Sequence, residues 1–576
     1  MSLFVELLRT RPRMLFWTMA VLQAVLWTVV PALFYAAPPG QLPLVLAIGH
    51  EFQFGTEFGP PLAFWLAEIA HRAGGMTGVY LLSQVCIVAA LWAVFALGRA
   101  IVGVPHAAIA VMLMAGIAVF SVPTPEFGPA ILATPLWALI LLHCWMGATR
   151  GGWGYWVALG IEAGLLLLTT YAGLILLGLL LIYTVSTAFG RALFEHVGPW
   201  IAGIAMTAVL FPHLIWLDLS SGISFLDVAT IVANLHAWGW LLLVLLLSHL
   251  GMAILIVLGR SPWFGSRETL PDVIRGPVHP SARGFVYFFA LAPIAAMGLF
   301  ALFTRRPENF VTAPLVLLSG LAVVMVAGPR IRFERQYVIG YAWAALIVLP
   351  PILVAFAIVI QPWIFAADLR VGRPAAEMGQ FFGESFARRT GQPLTVVAGD
   401  QALASLVALG APSRPSLYVE GVPDDRSHVT RQDITEEGAV IVWPATDNAG
   451  RPPPEIARQF PELAVEVPRA FSRPYQGRMP LMRIGWGMIR PRVQANTSVQ
   501  PRPLPPEQPQ PAMQSPPERA LEPQARPQPA EPQRSPSQAQ TLQPSESEAQ
   551  PPIIAPEPPR RQRARQRTFQ NMHNPQ

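Results

Sequence analysis

Long apolar segments recur along the first two thirds of the chain, and they constrain its fold more than any other feature. Each runs for about 18 to 25 residues, the length that a helix needs to cross a hydrocarbon core of roughly 30 Å. Of the 576 residues, 53% are hydrophobic and only 13% are charged. A soluble protein of this size could not bury so much apolar surface, so the bilayer must solvate part of it.

Eleven of these segments, give or take one, are predicted to span the membrane. They lie near residues 13–35, 79–101, 105–122, 129–147, 153–168, 172–189, 199–217, 237–259, 284–303, 312–328 and 337–360. Arginine is concentrated in alternate connections, which are therefore predicted to be cytoplasmic. With eleven spans, everything after residue 361 is extracytoplasmic, and an even number of spans would reverse that placement.

Composition divides the chain into three predicted regions: a membrane bundle at 1–365, a small extracytoplasmic α/β domain at 366–495 and a disordered tail at 496–576. The middle region should contain helices at 375–389 and 401–409 and strands at 394–398, 416–420, 438–443 and 481–484. The tail is rich in proline and glutamine, lacks glycine and cannot bury enough apolar area to order itself. The predicted fold is thus a polytopic α-helical membrane protein with these two appendages.

The connection between the first two spans carries polar residues in an unusually informative pattern. His50, Glu51 and Glu57 lie ahead of a helix start, Pro60-Pro61-Leu62-Ala-Phe-Trp65, at the rim of the bundle. An enzyme that acts on a lipid-linked substrate would place carboxylates and a histidine there. The competing interpretation is that these are ordinary residues of a water-facing loop.

Four features, in order and spacing over roughly residues 10–365, resemble glycosyltransferase family 39 and its GT-C relatives. Pro60–Trp65 is similar to the family's Pro-Pro-Leu-x-x-Trp, and the loop ending at Glu126 lies where the family has a second acidic residue. Residues 154–160 followed by 164–171 look like the family's Trp-rich span and its Ser-Lys-Tyr turn. The order of spans and outer α/β domain also fits. Relatives include protein mannosyltransferases, lipid A aminoarabinose transferases and rhizobial galacturonosyltransferases.

The resemblance implies a GT-C-like bundle that moves a sugar, hexosyl or uronosyl, from a polyprenyl phosphate to an envelope lipid, glycan or protein. It also implies a multi-pass protein of the bacterial inner membrane with a periplasmic C-terminal domain. Such transfer needs a carboxylate to take the acceptor's proton and cations to stabilise the departing phosphate. No cofactor and no metal site is predicted, and nothing indicates a nucleic-acid partner.

Two positions depart from the family pattern. Gln41 stands where the family has its loop aspartate, and Thr170 where it has a lysine. Glutamine cannot act as a base, so the base is predicted to have moved to Glu51, Glu57 or Glu126. His50 could orient a carboxylate or act itself, and Glu51 could share the rim with Gln41 because ten residues are close to three helical turns. Further candidates for binding the lipid phosphate are Arg72, Thr170, Tyr171, His213, Arg305 and Arg306.

Two other functions remain open from the sequence. A catalytically degenerate relative could bind lipid or serve as an envelope scaffold, which Gln41 and Thr170 favour. A transporter of a lipid-linked substrate is a lesser alternative, since such proteins are typically built from internal repeats and none is evident. Within the fifth span, Glu162 is costly in lipid, by about 2.5–3.5 kcal/mol, and is predicted to pair with a neighbouring side chain.

Overall fold

The computed structural model describes residues 3–56, 58–122, 124–219, 231–260, 272–302, 313–333, 336–419, 428–445 and 450–492. Most of this part of the chain is helical. Its helices are α1 Leu3–Thr10, α2 Pro12–Phe34, α3 Leu42–Gly49, α4 Leu62–Val102, α5 Val104–Met114, α6 Pro129–Arg150, α7 Trp153–Leu167, α8 Gly173–Ser186, α9 Ala188–Arg191, α10 Gly198–Leu219, α11 Ile231–Ser248, α12 Leu250–Arg260, α13 Pro280–Ala301, α14 Ser319–Val326, α15 Gln336–Ile364, α16 Ala375–Thr390, α17 Gln401–Gly410, α18 Arg431–Glu437 and α19 Pro454–Gln459.

Within the described ranges, seven helices are long and apolar enough to cross a membrane, or eight if α8 and the helical segment after it, bent by 98°, form one span. The seven are Pro12–Phe34, Leu62–Val102, Pro129–Arg150, Gly198–Asp218, Asn234–Gly259, Pro280–Ala301 and Tyr337–Ile364. The other four predicted spans fall on α5, α7, α8 and the segment Pro314–Val326, which are shorter apolar helices. The polytopic helical membrane fold is confirmed, with fewer full-length crossings than the eleven predicted.

Helix α4 is longer than a membrane crossing requires. Its 41 residues would extend about 61 Å if straight, roughly twice the thickness of the hydrocarbon core. The helical backbone breaks at Gly74 and Gly75, where Gly75 takes φ 59°. Glycine adopts that conformation without a steric cost. The break separates a rim segment, residues 62–73, from the span that follows, and the rim segment begins at the leucine of the Pro-Pro-Leu motif.

Small residues allow the helices of the bundle to pack closely. A Cβ atom on Gly160 of α7 would lie 2.3 Å from the carbonyl oxygen of Ala202 in α10, and one on Gly164 would lie 2.7 Å from Val209. Close backbone approach of this kind is how membrane helices gain packing energy without a hydrophobic driving force. On the same helix, Glu162 pairs with His143 of α6 at 2.8 Å, as predicted for a carboxylate at this depth.

The chain beyond the last span forms a five-stranded mixed sheet with helices around it, which we call the sheet domain. Its strands are β3 Val396–Gly399, β4 Ser416–Leu417, β5 Ala439–Pro444, β6 Ala464–Phe471 and β7 Met482–Ile489, whereas β1 Asp272–Ile274 and β2 Arg330–Arg332 pair separately. The sheet order is β4-β3-β5-β7-β6; the first three strands are parallel, and β7 is antiparallel to both of its neighbours, β5 and β6. The small α/β fold is confirmed, and β6, α18 and α19 were missed.

Alternation along the strands explains why the sheet is covered on both faces. Val397 and Val440 belong to the core that includes α16 and α17, while Val396 and Ile441 pack with residues of α18 and α19 on the other face. Successive side chains of a strand point to opposite faces, so the continuous apolar runs predict a sheet buried on both sides. The predicted disordered tail, residues 496–576, lies outside the described residues.

The sheet domain rests directly on one end of the bundle. The backbone N–H groups of Ala36 and Ala37, just after α2, donate to the carbonyl oxygen of Val371 at 2.8 and 2.9 Å, and α3 packs against α17. The N–H of Leu62 donates to the carbonyl oxygen of Leu168 at 3.0 Å. The connections near 36–61 and 168–172 and the sheet domain therefore share one side, as the arginine distribution predicted.

Candidate active site

The first connection forms a buried helical hook between the bundle and the sheet domain. All eight residues of α3 are buried. Gly49 packs so closely that a Cβ atom there would lie 2.3 Å from the carbonyl oxygen of Phe64 in α4. Gly40, with φ 56°, turns the chain into α3, and Phe52, with φ 52°, turns it out. These contacts and turns fix both ends of α3, and a different group of polar side chains lies at each end.

At the N-terminal end of α3 the structure has a polar cavity of about 110 Å³. Exposed Gln41 lines it without capping the helix, opposite Arg370 and Arg373 from the connection that follows the last span. Gln401 and Ser405 of α17 complete the polar lining. We call this the α3 cavity. It lies just beyond the C-terminal end of α2, at the rim of the bundle.

Glu126 adjoins the α3 cavity. A Cβ atom on Gly40 would lie 2.3 Å from Glu126 Oε2, so the carboxyl group occupies the space that only glycine leaves open. Although part of the side chain is exposed, burial by the surrounding protein raises the pKa of Glu126. Burial, and secondarily the charge of Glu126, raises the pKa of neighbouring Tyr35 to about 12. Glu126 is thus a carboxylate that is unusually ready to accept a proton.

The C-terminal end of α3 lies against a closed ion cluster. Glu68 on α4, with only 3% of its side chain exposed, accepts from Arg72 Nε at 2.9 Å and from Arg414 Nη2 at 2.8 Å. His50 Nδ1 lies 3.5 Å from the same carboxylate. Arg414, from the sheet domain, also donates to the carbonyl oxygen of Leu46 in α3 at 3.2 Å. Arg72 is therefore engaged in an ion pair, which weakens its candidacy for a lipid phosphate.

Glu51 belongs to neither group. Its carboxylate accepts from Gln53 and lies 3.8 Å from His428 Nε2 of the sheet domain, and only 8% of its side chain is exposed. The expectation that Glu51 shares a rim position with Gln41 is wrong. The helix ends at Gly49, and its eight residues rise about 12 Å, so the two side chains lie at opposite ends.

An aromatic cluster holds the turn between α7 and α8 beside the hook. Tyr171 Oη lies 3.0 Å from His213 Nε2, and His213 Nδ1 lies 2.8 Å from the carbonyl oxygen of Phe54. The Trp216 ring stacks on His213 with centroids 5.5 Å apart. Thr170 accepts from the N–H of Ala172 at 3.2 Å, so it caps the turn. These residues position the first connection and are not part of the α3 cavity.

Three predicted site residues, Glu57, Arg305 and Arg306, lie outside the described residues. Four residues that shape the site were missed: Glu68, Arg370, Arg373 and Arg414. Glu68 could have been found from its i, i+4 spacing to Arg72 on the rim helix. The arginines come from the far end of the chain, and only the tertiary fold brings them here. No group of three or more histidine, cysteine or acidic side chains that could hold a metal occurs in the described part of the chain.

Comparison with known proteins agrees with this architecture. Residues 59–216 match the family model of dolichyl-phosphate-mannose-protein mannosyltransferase. The structure is similar to ArnT from Cupriavidus metallidurans bound to undecaprenyl phosphate, with a TM-score of 0.51 and 14% identity over 82% of this chain and 97% of that one. No curated protein sequence matches the chain.

Two more distant solved structures are also similar. The oligosaccharyltransferase of Archaeoglobus fulgidus has a TM-score of 0.34 and 14% identity, covering 69% of this chain and 64% of that one. The arabinofuranosyltransferase AftD from Mycobacteria has a TM-score of 0.42 and 14% identity, covering 83% and 42%. This multi-pass membrane protein is therefore similar in sequence to the mannosyltransferase family over residues 59–216, and it is similar in fold to ArnT.

Proposed function

We propose that the protein is a glycosyltransferase that moves a sugar from a polyprenyl phosphate to an acceptor of the bacterial envelope, at the periplasmic face of the inner membrane. One observation carries the proposal: at the bundle rim, an accessible carboxylate, Glu126, adjoins a cavity lined by Arg370 and Arg373. The fold is similar to that of a protein whose structure contains undecaprenyl phosphate, which supports a lipid-linked donor.

The rim position suits such a donor. The α3 cavity lies just beyond the end of α2, so a polyprenyl chain can remain in the bilayer while its phosphate reaches polar side chains. Guanidinium groups bind phosphate oxygens through charge-assisted hydrogen bonds. Arg370 and Arg373 would thus bind the lipid phosphate, the role predicted from the sequence for Arg72, Arg305 or Arg306.

Glu126 would act as the base of the reaction. The acceptor hydroxyl oxygen bonds to the anomeric carbon of the sugar, and the carboxylate takes its proton. The bond from that carbon to the phosphate oxygen breaks, and the lipid phosphate leaves with the electron pair. Arg370 and Arg373 stabilise the charge that develops on the phosphate. A raised pKa makes the Glu126 carboxylate a stronger base near neutral pH. Gln41 contributes hydrogen bonds to the sugar or phosphate.

The proposed membrane orientation follows from the outer loops, which lie on the same side of the bundle as the sheet domain. Residues 366–495 would form a periplasmic domain over the bundle of residues 1–365, because the arginine-rich connections lie on the other side. The sheet domain then closes the cavity from above, with α17 as its roof. A periplasmic acceptor would reach the cavity from this side.

The test is replacement of Glu126, Glu51 and Glu57 by glutamine, one at a time, with transfer from the lipid-linked sugar pool measured in membranes. We expect Glu126→Gln to lower the rate by roughly 10²–10⁴-fold, the usual contribution of a general base, and the other two to retain activity. Glu195→Gln is the matched control, since Glu195 is exposed and remote from the cavity. Full activity of Glu126→Gln would refute the assignment.

A second candidate is a catalytically degenerate lipid-binding protein, favoured by Gln41 and by Thr170, whose hydroxyl only caps a turn. It predicts that the purified chain binds polyprenyl phosphate and that no membrane preparation shows transfer dependent on the chain. Transfer that is lost in Glu126→Gln would exclude this candidate.

A further inference from the structure

A second, larger cavity of about 360 Å³ adjoins the α3 cavity on its side toward the sheet domain. The two share Arg370, Arg373 and Ala402 in their walls. The remaining wall comes from the sheet domain: the start of α17, the end of β5, and the β6–β7 loop with the start of β7. No described residue of a membrane-spanning helix lines it.

Positive charge dominates this cavity, which we call the arginine groove. Its walls hold four guanidinium groups, Arg370, Arg373, Arg473 and Arg483, against two carboxylates, Asp368 and Asp400.

The two carboxylates are already engaged. Asp368 is shared between Arg373, at 2.9 Å, and Arg473, at 3.2 Å. Asp400 accepts from the N–H of Leu403 as the cap of α17. Among the residues that line this recess, guanidinium groups therefore outnumber carboxylates.

Two details indicate that this charge is placed for a ligand. The Nε atom of Arg373 is buried and has no hydrogen-bond partner, although a buried unpaired donor is costly. Arg473 is only 8% exposed, and its hydrogen bonds to Asp368 and to the carbonyl oxygen of Pro480 fix its orientation. Guanidinium groups that are held in place and keep an N–H donor unused are suited to bind phosphate and carboxylate groups.

We propose that the arginine groove binds an anionic group, a phosphate or a carboxylate, carried by the sugar acceptor. This inference rests on the proposed function and names its acceptor class: an anionic glycan or glycolipid headgroup. The groove volume matches that of a small-molecule site and accommodates a charged sugar residue. Because the groove opens into the α3 cavity through Arg370 and Arg373, an anion held there places a nearby hydroxyl toward Glu126.

The test is calorimetric titration of the purified full-length chain in detergent with glucose 6-phosphate and glucuronate, with neutral glucose as the comparison. We expect both anions to bind, glucose to give no binding heat, and Arg483→Gln and Arg473→Gln to weaken anion binding at least tenfold. Arg478→Gln is the matched control, because Arg478 is an exposed arginine of the same β6–β7 loop that does not line the groove. Melting temperatures of the variants identify any that fail to fold, and Arg483, which is exposed, carries the test if Arg473→Gln unfolds.

A competition arm separates the acceptor from the donor. Glucose 6-phosphate should still bind in the presence of polyprenyl phosphate, with a moderately lower affinity because the two sites share Arg370 and Arg373. Mutual exclusion would show that the groove holds the donor phosphate and overturn the proposal. Absence of anion binding, or equal binding by Arg483→Gln, would also overturn it. The Glu126→Gln variant distinguishes the two proposals, because it should lose transfer and still bind the anion. Failure of anion binding would overturn the acceptor proposal alone, and the transferase assignment would still depend on the transfer assay.

Discussion

At its C-terminal end α3 lies against a carboxylate whose partners are all supplied by the protein, whereas at its N-terminal end it lies beside groups that line a cavity. Glu68 is buried between Arg72 and Arg414, and its oxygens are saturated. Glu126 is accessible and has a raised pKa. A saturated ion cluster stabilises a fold, and a perturbed, accessible carboxylate in a recess is typical of a functional site.

The contrast also explains how the cavity keeps its shape. Arg414 connects the sheet domain to Glu68 and to the carbonyl oxygen of Leu46, so one side chain fixes the domain, α4 and α3 together. The α3 cavity lies between two of these parts, α3 and the sheet domain with the connection that leads to it. The closed cluster thus positions the open site without contacting it.

Removing Arg414 should have the largest effect on stability. Arg414→Met leaves the buried Glu68 with Arg72 and His50 alone, and we expect a loss of about 1.5–3 kcal/mol, the contribution of a hydrogen bond to a charged group. The measurement is chemical or thermal unfolding in detergent. Arg388→Met is the control, since exposed Arg388 contacts only its own helix. An unchanged melting temperature would show that the cluster does not hold the domain to the bundle.

A smaller effect is expected from Gly40→Ala at the open end. The Cβ atom would lie 2.3 Å from Glu126 Oε2, and the residue would keep the strained φ of 56°. The carboxyl group must move, so we expect a roughly tenfold lower transfer rate, about 1.4 kcal/mol in the barrier, and about 1 kcal/mol less stability.

Gly391→Ala distinguishes the effect of backbone strain from the effect of moving the Glu126 carboxyl group. Gly391 has φ 75° at the end of α16 and open space around it, so this variant carries the backbone strain without the clash. It should lose similar stability and keep its transfer rate. Equal rates for the two alanine variants would mean that the position of Glu126 beside Gly40 is unimportant.

Much of the fold could be predicted from the sequence because its signals are local. The length of the apolar segments predicts the membrane helices. Gly391 marks the end of α16, because glycine tolerates the positive φ at which this helix ends. The strand β6 was missed because Pro468 interrupts it and its residues are mostly exposed at the sheet edge.

The site was less predictable because its residues are far apart in the chain. Gln41, Glu126 and Arg373 meet only through packing of the hook, the bundle and the sheet domain. The relation of Gln41 to Glu51 was misjudged because the length of α3 depends on where Gly49 packs against α4, a tertiary contact. Glu126 itself was predicted, from the resemblance of its loop to a family pattern.

The smallest effect is one of pH, and it tests the open end most directly. A base must be unprotonated, so activity should fall as the pH drops through the pKa of Glu126, which burial raises above the ordinary glutamate value of about 4.3. The acid limb of the rate profile should therefore lie above that value and vanish from the residual activity of Glu126→Gln. Because the folded chain binds this proton more tightly than the unfolded one, the stability that Glu126 contributes is present below its unfolded pKa and lost as the pH rises through the raised value. A limb centred at or below 4.3, or one that persists in Glu126→Gln, would assign the titration to another group and leave Glu126 without its role as base.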